Sequence, residues 1–174
     1  MSLLKQFKLL SKYNQLMNQR LYEAVAKLPD VKIKEDKGAF FQSLHGTLNH
    51  ILVGDIVWLK RFSCDPACQS SLAYFTNIKN PASLDTVLFD DFTDLTKERE
   101  KIDQFIIDWI HSLTEQDLDS TISYKNMNGV YYEKDFASLI NHLFLHQIHH
   151  RGQATTLLSQ FDIDFGDTDL IEII

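Results

Sequence analysis

Four stretches of this chain repeat apolar residues at three- and four-residue steps, the spacing of a helix that buries one face. The first runs through Leu3, Phe7, Leu10, Met17, Leu21, Ala24, Val25 and Leu28 and is stopped by Pro29-Asp30. The second reads Phe41, Leu44, Leu48, Ile51, Leu52, Ile56, Leu59 and Phe62, which predicts a helix over residues 39–63. The third carries Phe92, Leu95, Ile102, Phe105, Ile106, Trp109, Ile110 and Leu113, with Asp90, Asp91 and Asp94 favouring its N-terminal end. The fourth starts near Phe136 and continues through Leu139, Ile140, Leu143, Ile148, Leu157 and Leu158. With only 6 glycines and 3 prolines the chain lacks the turn punctuation of an all-β protein. The expected fold is all-α, a four-helix bundle.

Connection lengths order the bundle. About ten residues join the first two helices, whereas Ser63 to Phe89 supply about twenty-seven between the second and third, long enough to cross over between parallel neighbours. The expected topology is therefore up-down-down-up. Before the fourth helix, Ile122-Ser-Tyr-Lys and Val130-Tyr-Tyr-Glu flank Asn128-Gly129, a dipeptide suited to a tight hairpin, so a small β-ribbon should cap one end. No repeat or composition break divides the 174 residues, and residues 1–174 read as one domain.

Lys and Arg number 17 against 24 Asp and Glu, a formal charge of −7 that repels a phosphate backbone. No nucleic-acid partner is expected. Lys5, Lys8, Lys12 and Arg20 interrupt the opening segment, which reads neither as a secretory leader nor as a membrane span. A cytoplasmic protein without a membrane partner is expected, with Cys64 and Cys68 as plain thiols beside Pro66.

Seven histidines would mean little if scattered, yet His142, His146, His149 and His150 fall together on the fourth helix. Imidazoles four residues apart on a helix lie one turn apart on nearly the same face and can aim at one point. Divalent transition metals are the usual reason, because neutral imidazole is a good ligand for zinc, nickel, copper and iron. Spacing alone leaves His142–His146 and His146–His149 open beside His146–His150, and a merely polar helix face is the competing reading. A further ligand must come from another helix, and His50 lies at comparable depth in the second. Gly46 and Gly54 flank His50 at i−4 and i+4, where missing side chains would leave a gap for a bound molecule. His45 and His111 look isolated. Trp58 and Trp109 sit at core spacing, and Asp55 is rotated too far from His50 to share its ligand position.

The segments Leu48-Asn-His-Ile-Leu-Val-Gly-Asp-Ile-Val-Trp58 and His146-Gln-Ile-His-His-Arg-Gly-Gln153 resemble the DinB family of bacterial proteins. The resemblance extends to Tyr13-Asn14 and Asn18, to Ser43-Leu-His-Gly-Thr47, to the Gly129 hairpin and to Asp169-Leu-Ile171, nearly the whole chain. It implies a frequently dimeric four-helix bundle in which His50, His146 and His150 hold one divalent metal, leaving His142 and His149 outside the ligand set. Zinc is the leading expectation and nickel the next.

The family name refers to induction by DNA damage, a matter of regulation that implies a stress response and leaves the chemistry open. Relatives in the wider superfamily include bacillithiol and mycothiol S-transferases and a maleylpyruvate isomerase. The resemblance therefore implies a metal-dependent enzyme of the thiol S-transferase type, acting on a small molecule with a low-molecular-weight thiol and forming a homodimer. Gln153, close to His146 on the helical wheel, is the candidate catalytic residue, while Arg151 points away and should pair with an acidic residue on a neighbouring helix. The alternative is a non-catalytic metal-binding stress protein whose ion is structural or sensory.

Overall fold

Ser2, Ser43, Asp91 and Asp135 each turn a side-chain oxygen onto a backbone N–H three residues on, and a long helix starts after each. Such caps satisfy donors that the first helical turn leaves open and contribute about 1 kcal/mol apiece. The computed structural model describes residues 2–174; Met1 lies outside them. The capped helices are α1 (Leu3–Val25), α3 (Leu44–Phe62), α5 (Phe92–Ser112) and α6 (Phe136–Ser159). Single turns form α2 (Asp30–Ile33) and α4 (Ala73–Thr76), and 3-10 turns lie at Asp117–Asp119 and Leu170–Ile173. The described residues are thus mostly helical, with one antiparallel hairpin of β1 (Thr121–Lys125) and β2 (Tyr131–Asp135).

Three local expectations shift. The first helix ends at Val25 instead of Leu28. The second begins at Leu44 rather than residue 39, because Gln42 takes a positive φ of 64° within a small bridge from Ala39 and Ser43 then caps the helix. Phe41 thereby leaves the helical stripe. The hairpin link runs over residues 126–130 and is organised by Asn126, whose Oδ1 accepts from Asn128 N at 2.9 Å and Val130 N at 3.0 Å. Gly129 supplies the one left-handed residue of that link, with φ 78°, so the turn is not built on Asn128 and Gly129 as a pair.

Aromatic residues carry much of the packing. Phe62 of α3 stacks on Trp109 of α5 at 5.0 Å and meets Phe136 of α6 edge-on at 5.5 Å. Tyr22 of α1 stacks on Phe92 of α5 at 5.7 Å, and Phe7 approaches Phe144 of α6 at 6.3 Å. Each large apolar side chain removed from water contributes about 1.5–3 kcal/mol.

A polar layer crosses this apolar interior. Arg99 of α5 is bonded to Asp55 of α3 and lies 2.9 Å from Asp103, while Gln147 of α6 also donates to Asp55. Asn14 and Asn18 of α1 donate to Asp103 at 3.2 and 2.9 Å. Arg151, expected to pair with an acidic residue, instead donates to the amide oxygens of Asn14, Asn18 and Gln147. All seven side chains are buried, and together they join α1, α3, α5 and α6 at one depth. Removing one member of such a layer leaves the others desolvated without partners, a penalty larger than the layer's net stabilisation.

Among the described residues no helix is long and apolar enough to cross a membrane.

Candidate metal centre

Asn49 and His50, neighbours on α3, both hold the long connection that follows that helix. Asn49 Oδ1 accepts from Leu88 N at 2.8 Å and Phe89 N at 3.1 Å, and its Nδ2 donates to the Phe89 carbonyl. His50 Nδ1 lies 2.7 Å from the Leu84 carbonyl of the same connection. A carbonyl only accepts, so Nδ1 carries the proton and Nε2 of the neutral ring presents a lone pair. Phe41, displaced from the helix, stacks on the His50 ring at 3.8 Å. The ring is thus fixed on one edge and one face.

That lone pair faces α6. His50 Nε2 lies 3.2 Å from His146 Nε2 and 3.1 Å from His150 Nε2, and ligand nitrogens of all three rings fall within 4.8 Å of one another. Two imidazole nitrogens bound at ~2.0–2.1 Å to one tetrahedral zinc stand ~3.3 Å apart by simple geometry. The three rings could therefore hold a metal ion. His150 is anchored as His50 is, with Nδ1 at 2.7 Å from Gln153 Oε1. Its Nε2 is then also a lone pair, and two acceptors at 3.1 Å repel unless a cation lies between them. His146 Nδ1 is buried without a hydrogen-bond partner, so that ring has no polar anchor on the nitrogen turned away from the cluster.

The electrostatics agree with neutral ligands. Burial, reinforced by the other imidazoles, pushes His146 down to about 3. Burial likewise lowers His150 to about 4, against the opposing pull of Gln153, and His50 is lowered chiefly by burial. At neutral pH all three are uncharged donors, the form that binds divalent metals.

The gap expected of the two glycines is found at Gly54, which lines a cavity beside the histidines, and not at Gly46. A β-carbon at Gly54 would stand 2.5 Å from His146 Cε1, so part of the room it leaves is taken by the His146 ring. At Gly46 a β-carbon would meet the Phe41 carbonyl oxygen at 2.1 Å, and the missing side chain admits the backbone that carries the stacking phenyl. A cavity of about 650 Å³ reaches His50 and His146 between α3, α6, the long connection and the hairpin.

Trp58 lines that cavity, half-buried, whereas Trp109 is fully buried in the core as expected. His142 is exposed, lies 5.1 Å from Trp58 and forms part of the wall; His149 is exposed beside the Gln153 amide. Gln153 sits behind His150, on the nitrogen turned away from the cluster, where it positions the ring. Of the remaining candidates, His45 is buried against Asn49 and His111 is exposed. Cys64 is exposed, while Cys68 is buried, bonded by Trp109 Nε1 and pushed up to about 12 by burial, which makes it an inert thiol. Asn49, Phe41 and the Leu84 carbonyl were not legible as site groups. A helical-wheel argument sees neither a backbone oxygen delivered from thirty-four residues away nor a phenyl outside the helix.

Comparison with known proteins adds two findings. A family model described as the DinB family matches residues 1–168. The chain is also similar to Protein DinB of Bacillus subtilis (strain 168), at 22% identity over 165 residues that cover 92% of this chain and 88% of that protein.

Proposed function

The chain belongs to the DinB family, and on that premise we propose that it is a metal-dependent enzyme of the thiol S-transferase type, with His50, His146 and His150 as the ligands of one divalent cation. The observation that carries the reading is the facing of lone pairs. His50 and His150 each have the opposite nitrogen committed to an oxygen acceptor, yet their Nε2 atoms stand 3.1 Å apart. Zinc is favoured and nickel is next, because both accept three imidazoles with a position left over.

Catalysis is preferred to a structural ion for two reasons. Among the described residues, no fourth His, Cys, Asp or Glu joins the three-histidine group, and a cavity opens on it. A divalent cation bound there supplies Lewis acidity, which favours the thiolate form of a small thiol. The chain's own residues do the rest. Leu84 and Gln153 hold the two outer rings in the required tautomer, and Phe41 screens one face of His50 from water. Trp58 and His142 form the wall against which a substrate would lie.

The same proposal includes the up-down-down-up bundle. It is supported by Tyr22–Phe92 and Asn14–Asp103 running in opposite senses between α1 and α5, and by Asp55–Arg99 and Phe62–Trp109 running in the same sense between α3 and α5. A homodimer acting in the cytoplasm during stress completes the reading. The test is a thermal-shift screen of metals combined with bacillithiol, mycothiol, glutathione and coenzyme A. A thiol should stabilise the metal-loaded protein further, and His146→Ala should abolish that shift; unchanged melting with every thiol overturns the transferase assignment.

A further inference from the structure

The cavity that reaches His50 and His146 also contains Arg61, and no carboxylate lines it. Arg61 is half-buried, with its guanidinium carbon 4.5 Å from the Trp58 ring centre and 4.8 Å from that of Tyr124. Among the described residues its side chain makes no salt bridge and no hydrogen bond; the buried arginines Arg99 and Arg151 both have such partners. In a chain of charge −7, with acidic side chains in excess, a guanidinium held between two rings without a carboxylate is an unfilled binding group.

The surroundings repeat the pattern. A neighbouring cavity of about 410 Å³ shares Val57, Arg61 and Asn126 with the first and adds Lys60 and Lys125, again with no acidic residue in its wall. Lys60 donates to the uncharged Ile78 carbonyl, and neither lysine makes a salt bridge among the described residues. Three cations thus line two adjoining cavities with Arg61 in the wall of both, and one of the two ends at the histidines.

We propose that Arg61 recognises an oxyanion group, a carboxylate or a phosphate, on a small-molecule substrate whose reacting end lies at the three histidines, with Lys60 and Lys125 receiving any further negative charge. The position of the reacting end rests on the proposed metal centre; the anion site does not. A guanidinium fork matches such a group with two parallel hydrogen bonds. The Trp58 and Tyr124 walls hold the side chain in place beforehand, which reduces the ordering cost of binding. Arg61 is accordingly a specificity-determining residue.

The experiment uses chelator-treated, metal-free protein near neutral pH, with tryptophan fluorescence and calorimetry as readouts, since Trp58 lines the cavity and Trp109 is buried away from it. The probes are glutarate, methylphosphonate and the neutral glutaramide. Glutarate or methylphosphonate should bind saturably, the stronger of the two identifying the group, and glutaramide should not. Arg61→Gln should weaken that binding by about tenfold or more, with Arg61→Lys between the two, because the lysine keeps charge and loses the fork. Metal stoichiometry should be unchanged in both variants. Should Arg61→Gln fail to fold, Arg61→Lys carries the comparison. Equal affinity in variant and wild type, or no binding of either anion to the wild type, overturns the proposal. Anion binding that persists in a protein that takes up no metal would reject the metal centre and leave the anion site standing.

Discussion

His146 packs its ring so tightly against Gly54 that a β-carbon on the glycine would stand 2.5 Å from Cε1 and 3.1 Å from Nδ1. Gly54 is therefore part of the mounting of the His146 ring. Because Nδ1 of His146 has no hydrogen-bond partner, the backbone of α3 is the chief restraint on where that ring lies. Gly54→Ala should leave the fold intact, since alanine gains about 1 kcal/mol of helix propensity over glycine. It should nevertheless weaken metal binding by about ten- to a hundredfold, the range seen when a ligand loses its support. Competition titration with a chromophoric chelator reads the affinity, and circular dichroism reads the fold; wild-type affinity in the variant contradicts the assignment.

Gln153 tests the other side of the centre. Its amide oxygen fixes the tautomer of His150 without facing the cluster. Gln153→Leu should cost about ten- to a hundredfold in metal affinity, and Gln153→Glu, which retains the acceptor, should recover most of it. If Gln153 acted directly on substrate instead, Gln153→Leu would bind metal normally and lose turnover alone.

The pH dependence follows from the direction of the histidine shifts. His146 and His150 are held at about 3 and 4, below the 6.5 of a free imidazole. The unfolded chain takes up their protons first, so stability of the metal-free protein is complete above about pH 6.5 and drains as the pH falls toward 4. Burial raises Asp55 to about 6 and raises Asp103 as well, which acts in the opposite sense over the acidic range. Burial lowers His45, His50 and His142 too, so five lowered histidines stand against these two carboxylates, and the net slope should be a loss of stability with acid. Urea unfolding at pH 7 and pH 5 in the presence of chelator measures it, and His146→Gln with His150→Gln should flatten or reverse the slope. A double variant that keeps the wild-type slope places the effect elsewhere.

The buried polar layer sets a different expectation. Asp55→Ala removes one of the two carboxylates beside the buried Arg99 and frees the Gln147 amide. The loss should be about 3–5 kcal/mol in unfolding free energy, as expected when one partner of a buried ion pair is deleted. Asp55→Ala combined with Arg99→Met should lose less than the sum of the Asp55→Ala and Arg99→Met losses, because both single variants break the same buried pair, even though Asp103 then also loses its arginine. Chemical denaturation of the three variants checks this; additive losses contradict the coupling.

What the sequence reveals of this arrangement divides along physical lines. Apolar stripes depend on a residue's own helix, and the long helices α1, α3, α5 and α6 follow from them to within a few residues at most ends. The start of α3 is the exception, because the Gln42 turn depends on backbone angles that no periodicity reports. The i to i+4 spacing of His146 and His150 marks the α6 half of the centre. Its depth in the second helix and its flanking glycines mark His50 as the ligand from another helix, whereas choosing His146–His150 over the neighbouring pairs depends on the DinB resemblance. The glycines stand out in the sequence, but a missing side chain looks the same there whether a cavity, a backbone carbonyl or a histidine ring takes the space, and Gly54 borders both a cavity and a ring. The polar layer did leave a signal: Asn14, Arg99 and Gln147 fall where the apolar stripes of their helices skip a step. Those interruptions mean something only when the helices are laid side by side, which brings them to one depth.

The central claim is that three imidazoles hold one divalent cation, and X-ray absorption spectroscopy on protein purified without a nickel column tests it most directly. The account predicts one divalent transition metal per chain, with three imidazole nitrogens at ~2.0–2.1 Å if the metal is zinc, and loss of that metal in His50→Ala and in His146→Ala. Protein that carries no stoichiometric metal and takes none up, or variants that keep the metal with an unchanged nitrogen shell, would contradict it.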